Sequence, residues 1–305
     1  MAAAQTMTTT ASRFNTLLLR EWMQHHRGWL VMMLAPPLLA LLVVPFGTVE
    51  IGPGELGPMP AILLMLMAMA VVPAVVLGIT TVALLFQATG LARRDQQDRS
   101  IEFWLSLPTS HSASIGATVL MHFVLVPLAA VLVGAVMSQA IGFALVWKGF
   151  GANAAFTLPW GTLVSVGAAG LVRALLGVVL ACAWLMPLLL LTMAASAWLK
   201  RWGAPILALV LSIGHKLLAT FYGVTLIGDT VGGLLANARS AMVHAMPPHV
   251  QGADATLAWL GDATRWFLMD GLAALRDLAQ PLFLFALVAS AGCFALLVLR
   301  RSRSG

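Results

Sequence analysis

Long stretches without a charged side chain alternate with short polar segments along this sequence. Lys, Arg, Asp and Glu are absent from 28–49, 56–92, 103–147, 174–199 and 278–299. A further apolar run, 202–228, is interrupted by His215 and Lys216. Since a helix needs about 20 apolar residues to cross roughly 30 Å of hydrocarbon, the pattern predicts about six transmembrane helices. They are placed at 29–47, 61–88, 115–147, 171–198, 204–226 and 279–299.

The same runs predict helices rather than a barrel. Backbone N–H and C=O groups must pair internally in lipid, which leaves helices or closed barrels, and barrel strands alternate polar and apolar residues. Residues 61–70 do not alternate. The predicted fold is therefore an all-α polytopic membrane protein, with one transmembrane domain over 1–305.

Composition supports this class and excludes others. Hydrophobic residues make up 60% of the chain and charged residues 9%, whereas soluble domains carry about 25% charged residues. This excludes a cytosolic enzyme, a disordered regulator and a DNA-binding domain. The formal charge of +6 comes from basic residues too scattered to form a phosphate-binding face, so no nucleic-acid partner is expected.

Basic residues also predict the orientation. If the N-terminus is inside, eleven of the seventeen Lys and Arg residues lie on the inner side. The positive-inside rule then places both termini in the cytoplasm. The first sixteen or so residues lack the charged and apolar regions of a secretory signal, so no cleaved signal peptide is expected. The inner residues are Arg13, Arg20, Arg27, Arg93, Arg94, Arg99, Lys200, Arg201, Arg300, Arg301 and Arg303.

Residues 12–27 are predicted to form an amphipathic elbow helix. At about 100° per residue, one side carries apolar residues and the other basic ones. Such a helix suits the inner headgroup layer, with Gly28 marking the turn into the bilayer. The alternative is a cytoplasmic extension of the first span. The elbow residues are Phe14, Leu18 and Trp22 on the apolar side and Arg20 and Arg27 on the basic side.

The loop 92–112 after the second span carries the most specific pattern. Asp98 or Ser100 can cap a short helix, and Pro108 ends it. A short cytoplasmic helix with aromatic and charged residues suits docking into a groove on another protein, although it could also anchor on lipid. The candidate docking residues are Asp98, Arg99, Ser100, Glu102, Phe103, Trp104, Leu105, Leu107 and Pro108.

Residues 100–110, which read SIEFWLSLPTS, resemble the cytoplasmic loop of type-two ABC exporter permeases. That loop reads Ser/Thr-(Leu/Ile)-Glu-x-Leu-Leu-(Ser/Ala)-x-Pro-(Val/Thr)-Ser after an acidic-basic turn. The elbow, about six spans, both termini inside and a long outer segment before the last span are similar too. The resemblance therefore covers most of the chain. It departs at Arg99, where Gly is usual, and at His111, where a basic residue often follows.

The resemblance implies a permease subunit of an ATP-driven exporter in the bacterial inner membrane. Loop 92–112 would be a coupling loop that contacts an ATP-binding subunit, and the assembly would hold two such subunits. A second permease copy, identical or related, would complete the translocation path within the lipid. ATP and Mg would bind the partner, since this chain has no G-x-x-x-x-G-K-[ST] motif. No catalytic residue, cofactor or metal ligand is expected here.

Several ionisable residues lie inside the predicted spans. Such groups usually face a cavity, a partner or the interface. Arg173, His215 and Lys216 are therefore candidates for the translocation path or the subunit interface, although Lys216 could instead snorkel outward. The alternative functions are a non-ABC carrier or an intramembrane enzyme that uses His122, His215 or Arg173.

Three other features of the sequence also give predictions. The adjacent His25 and His26 point in different directions from a helix and make a poor metal pair. Helices are expected at 234–246 and 256–279 within the extracytoplasmic segment 229–278. A short interfacial or re-entrant piece is expected at 149–170. The sequence does not identify the transported substrate.

Overall fold

The computed structural model describes residues 10–48, 60–91, 110–245 and 253–303, and these contain helices without a strand. A π-helical turn, Met121–Leu125, joins the third and fourth helices, and 3₁₀ turns lie at Lys200–Trp202 and Asp277–Ala279. The helices are α1 (Thr10–Val43), α2 (Pro60–Leu91), α3 (His111–Leu120), α4 (Val126–Phe156), α5 (Trp160–Leu199), α6 (Gly203–Tyr222), α7 (Leu226–Met242), α8 (Ala253–Arg276) and α9 (Pro281–Ser302).

Five helical stretches within the described ranges are long and apolar enough to cross a membrane. They are Arg13–Val43, Ala61–Leu91, His111–Phe156, Trp160–Tyr222 and Pro281–Ser302. This agrees with the predicted all-α polytopic fold. The fourth stretch is 63 residues long and contains the predicted fourth span and most of the predicted fifth, with the first 3₁₀ turn between them.

That turn depends on a close backbone approach. A Cβ atom on Gly203 would lie 2.4 Å from Ser196 Cα and 2.5 Å from the Ala195 carbonyl carbon. Only glycine permits such contact, so the first turn of α6 packs directly on the end of α5. Lys200, within the same turn, has a positive φ of 56°.

α5 lies at the centre of the bundle and contacts α2, α4, α6, α7, α8 and α9. Trp184 on this helix is fully buried, and its ring meets Phe283 of α9 edge-on with centroids 5.0 Å apart. Large apolar side chains are also exposed on several helices, among them Phe86, Val136 and Val288. Soluble monomers rarely expose large apolar patches, so these outward faces suit contact with lipid.

α2 and α4 pack closely through small residues. A Cβ atom on Gly134 would lie 2.5 Å from Pro73 Cα, and one on Gly142 would lie 2.4 Å from Met65 Sδ. Small residues at such contacts let membrane helices approach closely. Pro73 lies inside α2, where it cannot donate a helical hydrogen bond.

The structure differs from the predicted helix boundaries at Gly28 and within 149–170. α1 is helical through Gly28, so the predicted elbow residues form the first half of one long helix. α4 continues to Phe156 with a break at Gly151, whose φ is +84°, and α5 begins at Trp160. Because α4 and α5 need only a short turn at 157–159, most of 149–170 belongs to these two helices.

Within 229–278, helices occupy Leu226–Met242 and Ala253–Arg276. The first begins eight residues before the predicted position, because only the short segment 223–225 separates it from α6. Both helices pack against α5. They therefore belong to the bundle rather than lying apart from it.

Candidate functional site

A largely apolar cavity of about 390 Å³ lies between α2, α4, α5 and α8, with the end of α7 at its edge. Its polar lining side chains are Ser138, Gln139 and Arg173. Ser138 donates to the Ala135 carbonyl oxygen at 2.7 Å. The volume falls within the roughly 300–1,000 Å³ of small-molecule sites, so the cavity can hold a mainly apolar ligand. Apolar lining residues include Met69, Pro73, Val131, Ala135, Val166 and Phe267.

Arg173 forms a buried ion pair at the wall of this cavity. Its Nε and Nη2 atoms each lie 2.7 Å from Oδ2 of Asp270 on α8. Nη1 donates to the Ala241 carbonyl oxygen at 2.8 Å. The Asp270 carboxylate also accepts the backbone N–H of Ala245 at 2.7 Å and that of His244 at 3.4 Å.

Arg173 and Asp270 bond backbone groups at the end of α7 and just beyond it. The Ala241 carbonyl belongs to the last turn of α7, where helical carbonyls lack N–H partners, and the guanidinium supplies one. The two N–H groups just beyond α7 find their acceptor in Asp270. We call the Arg173–Asp270 pair and its backbone partners the buried clamp. It holds α5, α7 and α8 together and places a neutralised charge beside the cavity.

His215 and Lys216 lie elsewhere on α6 and are not among the residues that line the cavity. The half-buried His215 ring packs on α7, where a Cβ atom on Gly228 would lie 2.5 Å from its Cε1 atom. Lys216 is exposed. The structure therefore brings neither residue to the Arg173 end of the cavity, and His215 contributes to the contact between α6 and α7.

Gly228→Ala is expected to displace the His215 ring and to lower the free energy of unfolding by about 1 kcal/mol, because the added methyl overpacks this contact. Thermal unfolding of the detergent-solubilised protein measures the change. Gly232→Ala on the same helix is the matched control, since nothing lies within 4 Å of its added Cβ. Equal unfolding temperatures for the two variants would contradict this packing.

The predicted elbow residues form part of a packed helix end. Leu18 and Trp22 pack against a cluster built from α1, α2, the π turn and α4, which contains Trp29, Met33, Val76 and Met121 among others. Phe14 is half-buried and Arg27 is exposed. The apolar side of the predicted amphipathic helix therefore contacts neighbouring helices.

A second buried polar cluster, which was not predicted from the sequence, lies where Arg20 and Glu21 of α1 meet α3 and the π turn. Arg20 pairs with Oε1 of Glu21, and the same oxygen accepts a hydrogen bond from Thr118 Oγ1 at 3.1 Å. His122 Nδ1 lies 4.0 Å from Glu21 Oε2. Glu21 and His122 are both fully buried.

Two sequence signals could have drawn attention to this cluster. Glu21 is the sole acidic residue among the first 49 residues, and His25 follows at the i+4 position on the same helical face. His122 is the sole histidine of the long run 115–147. Their meeting depends on the packing of α1 against α3 and the π turn, which periodicity does not reveal.

The predicted coupling residues lie outside the described part of the chain. These residues are Asp98, Arg99, Ser100, Glu102, Phe103, Trp104, Leu105, Leu107 and Pro108. The structure resumes at Ser110, whose side chain accepts the Ala113 N–H at 3.1 Å and caps α3. Cys182 and Cys293 are free thiols.

The fold defines a class of protein: a helical membrane protein with five candidate spanning stretches in its described ranges. No family model, curated protein or solved structure matches the chain.

Proposed function

We propose that this chain is the permease subunit of an ATP-driven exporter in the bacterial inner membrane, with both termini in the cytoplasm. Two copies, or this chain and a related one, would form the translocation path. Two separate subunits would bind ATP and Mg. The observation that carries the proposal is the motif of residues 100–110 in an apolar polytopic chain with no nucleotide-binding motif.

The packing around the coupling loop supports this role. Ala88 near the end of α2 and Ile115 on α3 belong to one buried cluster with Met193 on α5 and Leu297 on α9. The described helices on either side of 92–109 therefore share a packed base with two further helices. A displacement of the loop by an ATP-binding subunit would reach all four helices through direct contacts, as a rigid-body transition requires.

Basic residues at the same end support the proposed orientation. Arg300 at the end of α9 donates to the Ala197 carbonyl oxygen near the end of α5 at 3.4 Å and lies over the Trp198 ring. Arg201 lies over the Trp202 ring. Arg and Trp at one end of a bundle are typical of an inner membrane interface. The coupling loop would then face the cytoplasm, where ATP is.

The cavity supports transport of a largely apolar cargo. It lies within the bundle, and its charged wall residue is neutralised in the buried clamp. A cargo with a fixed charge would need a counter-charge that these lining residues do not offer.

The proposal predicts an ATP-binding subunit encoded in the genomic neighbourhood, and Glu102→Arg and Trp104→Ala test the proposal in a complex with that subunit. Each change is expected to reduce co-purification of that subunit, or cargo-stimulated ATP hydrolysis, by at least about tenfold, because it alters the charge or the aromatic anchor of a docking helix. Glu55→Arg, on the predicted outer side, is the matched charge-reversal control.

Two outcomes would contradict the proposal. One is unchanged complex formation and coupling in both loop variants, and the other is a genomic neighbourhood that encodes no ATP-binding subunit.

The Glu21–His122 cluster gives the alternative of an intramembrane enzyme a specific basis, since a convergent polar group is what such an enzyme needs. However, the residues of this cluster are not among those that line the cavity, and Glu21 and His122 are fully buried. Transport is therefore the better-supported function. Turnover of a lipid substrate by the chain without an ATP-binding subunit would favour the enzyme.

A further inference from the structure

We propose that Glu21, His25 and His122 form a binding site for a divalent transition-metal ion of the zinc type. One ligand atom from each of the three residues lies within 4.8 Å of the other two. Glu21 and His25 are four residues apart on α1, which places them on one face of the helix. His122 belongs to the π turn that follows α3. The site would link α1 to this turn.

Both imidazole rings contact a backbone carbonyl oxygen through Nδ1. His122 Nδ1 lies 3.0 Å from the Thr118 carbonyl oxygen, and His25 Nδ1 lies 3.2 Å from the Glu21 carbonyl oxygen. A carbonyl oxygen can only accept, so each Nδ1 carries the proton in this geometry, and Nε2 is the ring nitrogen that would bind a metal ion. A ring N–H held by a backbone carbonyl is the usual outer support of a metal-ligating histidine.

The two oxygens of the Glu21 carboxylate also have different partners. Oε1 takes the contacts with Arg20 and Thr118, whereas Oε2 is the oxygen near the His122 ring. The hydroxyl of Thr118 thus orients the carboxylate toward the imidazole. Arg20 withdraws charge from it, so we expect weaker binding than at a site with several thiolates.

Aromatic rings pack around the cluster and hold the two imidazoles in place. The Trp29 ring lies 5.3 Å from the His25 ring and 5.1 Å from the His122 ring, and the two histidine centroids are 5.0 Å apart. Trp29 is 1% exposed. π-helical turns are rare and frequently occur at functional sites. This turn is also supported by Cys182, whose thiol donates to the Phe123 carbonyl oxygen at 2.6 Å.

Two imidazoles and one carboxylate suit zinc and its neighbours in the first transition series. In a tetrahedron with bonds of about 2.1 Å, neighbouring ligand atoms lie roughly 3.4 Å apart. The present separations of up to 4.8 Å would close by small rotations, chiefly of the half-buried His25 ring. Three protein ligands leave a fourth position for water or an exchangeable group.

The test is a titration of the purified, metal-stripped full-length protein with Zn²⁺, followed by calorimetry, and with Co²⁺, followed by visible absorption. We expect one ion per chain and the absorption of tetrahedral Co²⁺. His25→Gln is expected to weaken Zn²⁺ binding by at least about tenfold. It is the most informative variant, because His25 is only half-buried and its replacement leaves the Glu21–Thr118 contact in place.

His26→Gln is the matched control and should change the affinity by less than about twofold, since this neighbour bonds the Met23 carbonyl oxygen and lies outside the cluster. Zn²⁺ should also raise the unfolding temperature of the unmodified chain but not that of His25→Gln. Absence of stoichiometric binding, or equal affinities for His25→Gln and the unmodified chain, would overturn the proposal. No measurement here requires an ATP-binding subunit, so the result is independent of the transport function.

Discussion

Replacing Arg173 with methionine is expected to lower the free energy of unfolding by about 3–5 kcal/mol, because it leaves the Asp270 carboxylate buried without its counter-ion. The change also removes the donor that the Ala241 carbonyl oxygen uses at 2.8 Å. Thermal unfolding in detergent, read by the loss of helical circular dichroism, should show a strongly reduced midpoint. Separation of α7 and α8 from α5 would appear as faster proteolysis near residues 243–252.

A double mutant distinguishes the buried charge from a simple loss of packing. Asp270→Asn removes the charge but keeps an oxygen that can accept the Ala245 N–H, so Arg173→Met with Asp270→Asn should recover more than half of the lost stability. Arg265→Met, an exposed arginine on the same helix as Asp270, is the control and should change stability by less than about 0.5 kcal/mol. A normal midpoint for the single Arg173 variant would refute the clamp.

Gly134→Ala is expected to destabilise the protein by about 1–3 kcal/mol through overpacking, and Gly134→Val by more. The added Cβ atom would lie 2.5 Å from Pro73 Cα, which is backbone and cannot rotate away. The helices α2 and α4 would therefore have to separate. The same midpoint measurement applies, and a reduced yield of folded monomer in size-exclusion chromatography would accompany it.

Gly116→Ala is the matched control for this prediction. Gly116 also lies within a helix, but nothing is within 4 Å of its added Cβ. Alanine is favoured over glycine in a helix by up to about 1 kcal/mol, so this variant should be as stable as the unmodified chain or slightly more stable. If both alanine variants behave alike, the close α2–α4 contact is wrong.

The apolar runs predicted most of the helical structure because hydrocarbon excludes charge over a fixed thickness. That rule says where a helix can cross, but it does not say whether two neighbouring helices are continuous. The helix through Gly28 shows the limit, since glycine permits a turn there without requiring one. The π turn at Met121–Leu125 is not marked by the sequence either, because its residues other than His122 are as apolar as those of an ordinary α-helix.

Long-range contacts explain why the candidate site was only partly predicted. Arg173 drew attention because a charge in an apolar run needs a partner, yet Asp270 lies 97 residues away. Glu21 and Thr118 are also separated by 97 residues. No spacing rule connects residues on different helices, so the clamp and the Glu21–His25–His122 cluster become visible only when the helices are packed. The coupling role of residues 98–108 stays a prediction.

Pro73 has a consequence for which molecules the cavity would favour. A proline has no N–H to offer the carbonyl four residues earlier, so the Met69 carbonyl oxygen lacks its usual helical donor, and both residues border the cavity. Under the transport proposal, a cargo molecule with a hydroxyl or amide hydrogen could donate a hydrogen bond to that oxygen, whereas a pure hydrocarbon of equal size could not. Selectivity would then arise from a main-chain atom that side-chain substitutions leave in place.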